Sequence, residues 1–263
     1  MKPDDQTLNT IHLLWDELAD INASQVNEAR NHLLQGICDL VAAQNASWVG
    51  AVRMGEPKRG DPVAGWRPRL VHYLHTNPCL QQITAEQVEQ LEAGSVDAST
   101  ARNVSFAGSF RTHRLVDLVP AEWFQSDYYR LWYLNSGIAD TIWAGVPINE
   151  DAEIYFGIHR YIGQPAYTTA DCDIVAYTLR GLRWFHRQQM LGCGLNVATA
   201  PLTELERRVL SGLLSGLTEK QIAIELQRSP STTHEYVTRI FRKYGVNNRA
   251  SLMALWLGHY ANN

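Results

Sequence analysis

The chain predicts an α+β protein in two parts. An antiparallel sheet covered by helices comes first, and an all-α four-helix segment with a helix-turn-helix follows. Three observations predict this. Apolar or alternating runs at 47–54, 66–75, 137–147 and 153–162 read as strands, in two neighbouring pairs. Stretches with apolar residues at helical spacing stand before and after those pairs, which is the element order of a layered α+β domain. Beyond Pro201, helix starts and stops follow one another in close succession.

The first helix covers 7–21, with Leu8, Ile11, Leu14, Trp15 and Leu18 on one stripe. Residues 22–24 break it. A second helix runs to about Gln44 and carries Val26, Leu33, Leu34, Ile37, Leu40 and Val41. The strand 47–54 follows, then a loop punctuated by Pro57, Gly60, Pro62 and Gly65, then the strand 66–75. Together these predict an antiparallel hairpin. Thr84 and Gln87 form a capping-box pattern, so a short helix is expected over 84–93. Residues 94–109 are polar and read as an exposed loop, and 111–118 as a strand or an extended connection. Pro120 opens an aromatic helical region with Trp123, Phe124, Tyr128, Tyr129, Trp132 and Tyr133. Two strands follow, 137–147 and 153–162, joined by a turn at Asn149, Glu150 and Asp151. A single long helix is expected over 169–190, and Gly192, Gly194 and Pro201 mark a linker. The expected domains are a sensor over 1–190, a linker over 191–201 and a DNA-binding domain over 202–263.

The last sixty or so residues are the most legible. Thr203 stands three residues before Glu206, and Thr218 three before Gln221, which are two capping boxes. Gly216 stops the first helix of this set. Ser229 followed by Pro230 is an N-cap with proline at the first helical position, and Gly245 ends that helix. A last helix is expected from Arg249 to about Tyr260. By periodicity alone the four could equally be a plain bundle. Two short helices joined by a tight break, however, are the pattern of a helix-turn-helix, whose second helix enters the major groove. Here that helix begins at Pro230. Its inner face is Thr233, Val237, Ile240 and Phe241; its outer face is Ser231, His234, Glu235, Thr238, Arg239, Arg242 and Lys243.

The stretch resembles the C-terminal DNA-binding domain of LuxR/FixJ-type transcription regulators. The residues that carry the resemblance are Leu202, Thr203, Glu206, Val209, Leu210, Gly216, Lys220 to Ala223, Leu226, Ser229, Thr232, Ile240 to Lys243, Gly245, Val246, Arg249 and Ala250. They span about a quarter of the chain. The resemblance implies double-stranded DNA as partner. It implies base contacts from His234, Glu235 and Thr238, and backbone contacts from Lys220, Thr232, Arg239, Arg242, Lys243 and Arg249, with Ser231 at the tip. It also implies pairing through the last helix, where Leu252, Met253, Leu255, Trp256, Leu257 and Tyr260 stand, and a homodimer using this helix and additional N-terminal surface is expected. A glutamate at position 235 can accept from a cytosine amino group, or it can pair with Arg239 four residues on.

The N-terminal part resembles GAF/PAS-like sensor domains, on the run LVPAEWFQSDYY, the two strands after it, His159 with Arg160, and the long exit helix. This resemblance implies a small-molecule ligand, a quorum-sensing-type signal among the candidates. The Trp/Tyr/Asp order of acyl-homoserine-lactone receptors is not clear here; Asp140 with Trp143 is the nearest feature. Seven of the eight tryptophans and eight of the eleven tyrosines lie before the linker, and seven aromatic residues fall between Trp123 and Trp143. Such density builds a core or the wall of a pocket. Trp123, Tyr128, Tyr129, Trp132, Asp140 and Trp143 are the expected ligand contacts. A regulator controlled by a partner protein at this domain, with no small ligand, is the alternative.

Composition bounds the rest. From Ala200 onward there are eight Lys/Arg and five Asp/Glu, a net of +3, against fifteen and twenty-two elsewhere, a net of −7. A basic end on an acidic body fits nucleic-acid binding at that end. The chain lacks G-x-S-x-G, H-E-x-x-H, P-loop and G-x-G-x-x-G motifs, so no enzyme activity and no cofactor are expected. Cys38, Cys79, Cys172 and Cys193 form no C-x-x-C pair and no metal spacing, and buried free thiols are expected. No run of about 18 apolar residues and no signal core is present, so no membrane association and a cytoplasmic location are expected.

Overall fold

The computed structural model describes residues 3–53, 60–76, 78–195 and 202–256. The chain divides into two compact units. One comprises Met1–Leu18 and Asn31–Arg183, the other Ala19–Arg30 and Trp184–Asn263.

The first unit is the mixed one. Helices α1 (Asp5–Asp20) and α2 (Val26–Leu40) open the chain. Leu8, Ile11, Leu14 and Leu18 form the buried stripe of α1. A Cβ at Gly36 would lie 2.7 Å from the Leu14 methyls, so the two helices close together at that glycine. Strands β1 (Asn45–Arg53) and β2 (Trp66–Tyr73) make the expected antiparallel hairpin. After them come α3 (Pro78–Glu92), α4 (Ala98–Val104), β3 (Arg111–Arg114) and α5 (Leu115–Leu118). A 3-10 turn over Ala121–Gln125, helix α6 (Asp127–Trp132) and a second 3-10 turn over Leu134–Ser136 lead to β4 (Ile138–Pro147) and β5 (Ala152–Tyr161). Helix α7 (Thr169–Arg180) closes the unit.

The sheet has the order β2-β1-β5-β4-β3, with every pair antiparallel. Side chains alternate across it with period two. One face carries the buried Trp48, Ile142, Ala144, Ile154, Phe156 and Ile158. The other carries Ser47, Thr141, Glu153, Tyr155 and His159, also buried. A sheet apolar on one face and polar but still covered on the other must pair those polar groups internally, and that second face is where the cavity described below lies.

The structure departs from the sequence expectation in four places. Helix α3 begins at Pro78, six residues before Thr84, because proline at the first helical position suits an N-terminus. Thr84 lies inside the helix and donates from its hydroxyl to the Leu80 carbonyl at 2.7 Å. The segment 94–109 is not all loop: Asp97 caps α4 by accepting from the Ser99 amide at 2.7 Å. The segment 111–118 is a strand for four residues and then a helical turn, which the Arg114–Asp117 ion pair closes at 2.7 Å. The expected single helix over 169–190 is broken after Arg180. A Cβ at Gly181 would lie 2.6 Å from the Trp15 ring, so the break sits where that indole presses on the chain.

The second unit holds α8 (Arg183–Gly192), α9 (Glu204–Leu214), α10 (Glu219–Glu225), α11 (Pro230–Tyr244) and α12 (Arg249–Trp256). Both expected capping boxes form, at Thr203 with Glu206 and at Thr218 with Gln221. Ser229 accepts from the Thr232 amide at 3.1 Å, and Gly245, at φ 66°, ends α11 in the left-handed region that glycine adopts without strain. Val209, Leu210, Leu213, Ile222, Val237, Ile240, Tyr244, Leu252, Leu255 and Trp256 make one core. The expected extension of the last helix to Tyr260, and with it Leu257, lies outside the described residues. Among the described residues no helix is long and apolar enough to cross a membrane.

Candidate nucleic-acid interface and ligand cavity

The interface candidate is built on α10 and α11. A Cβ at Gly212 would sit 2.7 Å from Ile222, so α9 and α10 meet in close contact and seat α10 against the core. The link from α10 to α11 turns through Gln227, at φ 53°. Thr233, Val237 and Ile240 then face the core, and Thr233 also donates from its hydroxyl to the Ser229 carbonyl at 3.1 Å. The opposite side of α11 presents Ser231, His234, Glu235, Thr238, Arg239 and Arg242, all exposed, and Lys220 is exposed on α10.

The local chemistry distinguishes these side chains. The Ser229 hydroxyl lies 2.9 Å from that of Ser231 and 2.8 Å from that of Thr232, so both are drawn into the helix cap. Nδ1 of His234 lies 2.9 Å from Oε2 of Glu219 on α10. Glu235 does pair with Arg239, at 3.6 Å, and the Arg239 guanidinium lies 5.0 Å above the Tyr236 ring. Two of the expected backbone-contacting cations are turned inward. Lys243 donates to the buried Glu206 carboxylate at 2.7 Å. Glu206 is held below the usual carboxylate range: its burial works against this, but the Lys243 and Thr203 hydrogen bonds outweigh that penalty. Arg249 donates to the Leu217 carbonyl at 2.7 Å and to the Leu213 carbonyl, closing the open end of α9. These two side chains hold helices together, a commitment that motif position does not reveal. Glu219 has the converse history: nothing in its spacing singled it out.

The cavity lies in the first unit, between the polar face of the sheet and helices α3, α4 and α6, with a volume of about 190 Å3. Ser47, Tyr155 and His159 form part of its floor, with Ile83, Leu91 and Trp132 among its walls. Of the aromatic residues expected at a ligand, Tyr128, Trp132 and Trp143 line it. Trp123, Tyr129 and Asp140 are not among its lining residues. Trp123 and Tyr129 pack in an aromatic cluster with Phe124 and Tyr133. The Trp123 indole donates to Asp97 at 2.8 Å, and the Tyr129 hydroxyl to the Ala139 carbonyl at 2.8 Å. Asp140 accepts from the Tyr167 and Thr141 amides, both at 2.8 Å.

The cavity floor is polar without being strongly charged. Burial pushes His159 down to about 3, so its ring is neutral, held between Ser47 at Nε2 and Thr141 at Nδ1, each 3.0 Å away. Gly157 makes room for this arrangement, because a Cβ there would lie 2.6 Å from the Ser47 hydroxyl and 2.7 Å from the imidazole. Arg111 and Glu153 neutralise each other in a two-pronged pair at 2.7 and 3.0 Å. Burial raises the phenols of Tyr128, Tyr133 and Tyr155, which stay protonated donors. Among the described residues, no group of three or more His, Cys, Asp or Glu could hold a metal ion. All four cysteines are free thiols. Cys38, Cys172 and Cys193 are buried, whereas Cys79, expected to be buried, is exposed.

Four helices, with the third laid across the second and its polar side left open, have the arrangement of a helix-turn-helix domain. Residues 200–256 match the family described as bacterial regulatory proteins, luxR family. The same region is similar to the probable HTH-type transcriptional regulator GfsR of Streptomyces halstedii, 36% identical over 58 residues, covering 22% of this chain and 24% of that protein. It is also similar to the transcriptional regulatory protein UhpA of Escherichia coli K12, 42% identical over 52 residues, covering 20% of this chain and 26% of UhpA. The chain thus spans about a quarter of the length of the curated relatives it matches. Among solved structures, one of SdiA in complex with octanoyl-rac-glycerol is 12% identical with a TM-score of 0.49, covering 98% of this chain and 96% of that one. The VqsR LBD domain from Pseudomonas aeruginosa is 10% identical with a TM-score of 0.48, covering 72% of this chain and 98% of that one.

Proposed function

We propose that this chain is a DNA-binding transcription regulator whose N-terminal part, residues 1–190, senses a small molecule and controls the DNA-binding part, residues 202–263, through the linker 191–201. The observation that carries the reading is the two-sided character of α11. Its inner face is fixed in the core, while an outer face of short polar groups and arginines is left to solvent. Short polar groups at the tip suit base edges, and cations along the flank suit phosphates. In this reading Ser231, His234, Glu235 and Thr238 face the bases, and Lys220, Thr232, Arg239 and Arg242 the backbone. The protein acts as a homodimer on a two-fold site. Replacing Arg242 by alanine should weaken binding to all sequences alike and reduce the dependence of log K on log salt by about one ion. Titrations of specific and random duplexes across a salt series measure both. A loss confined to one sequence would assign Arg242 to base reading instead.

The ligand is an uncharged, amphipathic small molecule in the cavity above Ser47 and His159. Apolar and aromatic walls supply area, and the neutral imidazole and tyrosine hydroxyls supply orientation. A charged ligand would need a buried counter-charge, and the Arg111–Glu153 pair is already satisfied internally. Tyr128, Trp132 and Trp143 are the expected contacts, with Trp123 and Tyr129 packed against Tyr128 and Tyr133 in the adjoining cluster. Native mass spectrometry of the purified protein is the test. The expected result is a retained neutral molecule that raises the thermal midpoint, with retention lost in Trp132→Ala or Trp143→Ala while binding of DNA persists. A protein that retains nothing, and whose DNA binding changes only when a partner protein is added, would refute the small-molecule half of the proposal.

A further inference from the structure

Glu219 opens α10, and His234 lies one turn into α11. The two are fifteen residues apart, yet Nδ1 of the imidazole and Oε2 of the carboxylate are 2.9 Å apart. This contact links the first helix of the helix-turn-helix to an outward-facing side chain of the second. We propose that Glu219 is a positioning residue for base readout: it fixes the His234 ring so that Nε2 is the atom offered to the groove. The inference rests on the reading that α11 enters the major groove.

The chemistry follows from which nitrogen is occupied. A carboxylate only accepts, so Nδ1 must carry the proton it receives. In the neutral ring, Nε2 is then an acceptor. It suits a base-edge donor, the cytosine N4 or adenine N6 amino group, and does not suit the guanine acceptors O6 and N7. Without Glu219 the ring can rotate and take either tautomer, and the discrimination is lost.

The charged surroundings of His234 are few. Glu219 is the charged group that α10 brings against it, with Lys220 beside Glu219 turned to solvent. On α11 itself, the Glu235 carboxylate is engaged by Arg239. Helices α9 and α12 share the core with the opposite, buried side of α11, through Val237, Ile240 and Tyr244. An acidic residue in the first turn of α10 also favours the helix dipole, and that plain role must be separated from positioning. The separation comes from the conservative variant. In Glu219→Gln the charge is gone but an amide oxygen can still accept from Nδ1, whereas in Glu219→Ala both are gone.

The experiment is a binding-site selection with the full chain, followed by titration of duplexes carrying each of the four base pairs at the most strongly selected positions, near pH 8. Wild type, Glu219→Gln, Glu219→Ala and His234→Ala are compared, with Arg242→Ala as the phosphate control. The expected result is that Glu219→Ala and His234→Ala flatten the preference at the same base pair by about three- to tenfold, the range for one hydrogen bond. Glu219→Gln should keep it. If His234→Ala alters the preference but Glu219→Ala does not, or if Gln and Ala behave alike, positioning by Glu219 is overturned and groove entry by α11 stands. If neither the His234 nor the Arg242 variant changes binding, or wild type binds no duplex at low salt, groove entry itself is overturned and the inference falls with it.

Discussion

Replacing Arg111 by alanine is expected to destabilise the first unit by about 3–5 kcal/mol, the cost of leaving a buried charge uncompensated. Arg111 reaches across the polar face of the sheet from β3. Its two terminal nitrogens donate to the two oxygens of Glu153 at 2.7 and 3.0 Å. Nε donates to the carbonyl and side-chain oxygens of Asn103, both at 3.1 Å, and one terminal nitrogen also donates to the Ser109 carbonyl at 2.9 Å. The guanidinium lies 5.1 Å from the Tyr155 ring centre and directly over Gly145, where a Cβ would come within 2.3 Å of it. The side chains of Arg111 and Glu153 are 5% and 0% exposed. With the arginine gone, the Glu153 carboxylate keeps only a 3.4 Å contact from the Gly108 amide among the hydrogen bonds described. Urea unfolding at neutral pH measures the loss. The double variant Arg111→Met/Glu153→Leu should recover most of it, because it removes both charges and keeps the volume. A single variant as stable as wild type would mean that the pair is solvated in solution.

The same pair shows where the sequence is silent. Arg111 and Glu153 are forty-two residues apart, and only the β3–β4–β5 ladder brings them to one face. The helix-turn-helix is legible because its signals are local: a cap, a proline and a terminal glycine each act within one turn. The strands are legible because alternation is local too. The start of α3 was masked by Thr84 and Gln87, a capping pattern whose threonine bonds back into its own helix instead. Helix α4 was hidden in a polar stretch, and its cap, Asp97, also serves Trp123, twenty-six residues on. Of the aromatic residues from Trp123 to Trp143, Tyr128, Trp132, Tyr133 and Trp143 line the cavity. Trp123, Phe124 and Tyr129 stay within the aromatic cluster, while the cavity floor comes from Ser47, Tyr155 and His159 on distant strands. Inward-turned Lys243 and Arg249 make the same point on the DNA side, since a cation on a polar helix face can be claimed by a buried carboxylate or by open carbonyls.

Stability should fall by about 2 kcal/mol between pH 7 and pH 5 through His159 alone. The buried imidazole has no charged partner among its described contacts; it lies between the Ser47 and Thr141 hydroxyls. Burial lowers its folded value to about 3, while in the unfolded chain it titrates near the ordinary 6.5. The sign follows. Between those values the unfolded chain binds a proton that the folded protein refuses, so acid favours unfolding. The contribution is complete above about pH 7 and drains away as pH falls from about 6.5 toward 3, by about 1.4 kcal/mol per pH unit. His113, lowered by its burial and then by Arg111, acts in the same sense. The lowered carboxylates Asp61, Asp117 and Glu206 also lose stability in acid, but their unfolded values lie near 4, below this window. Asp140, raised by its burial, works in the opposite direction. In the pH 7 to 5 interval the shifted groups that bear on stability are therefore the two histidines and, with opposite sign, Asp140. His159→Gln keeps a side chain able to donate and accept between the two hydroxyls but removes the proton uptake. Its urea midpoint should fall much less than the wild-type midpoint over the interval, the remainder being the opposed contributions of His113 and Asp140. Equal slopes for the two proteins would show that the imidazole is protonated or solvated in the folded state, and the neutral cavity floor on which the ligand class rests would go with it.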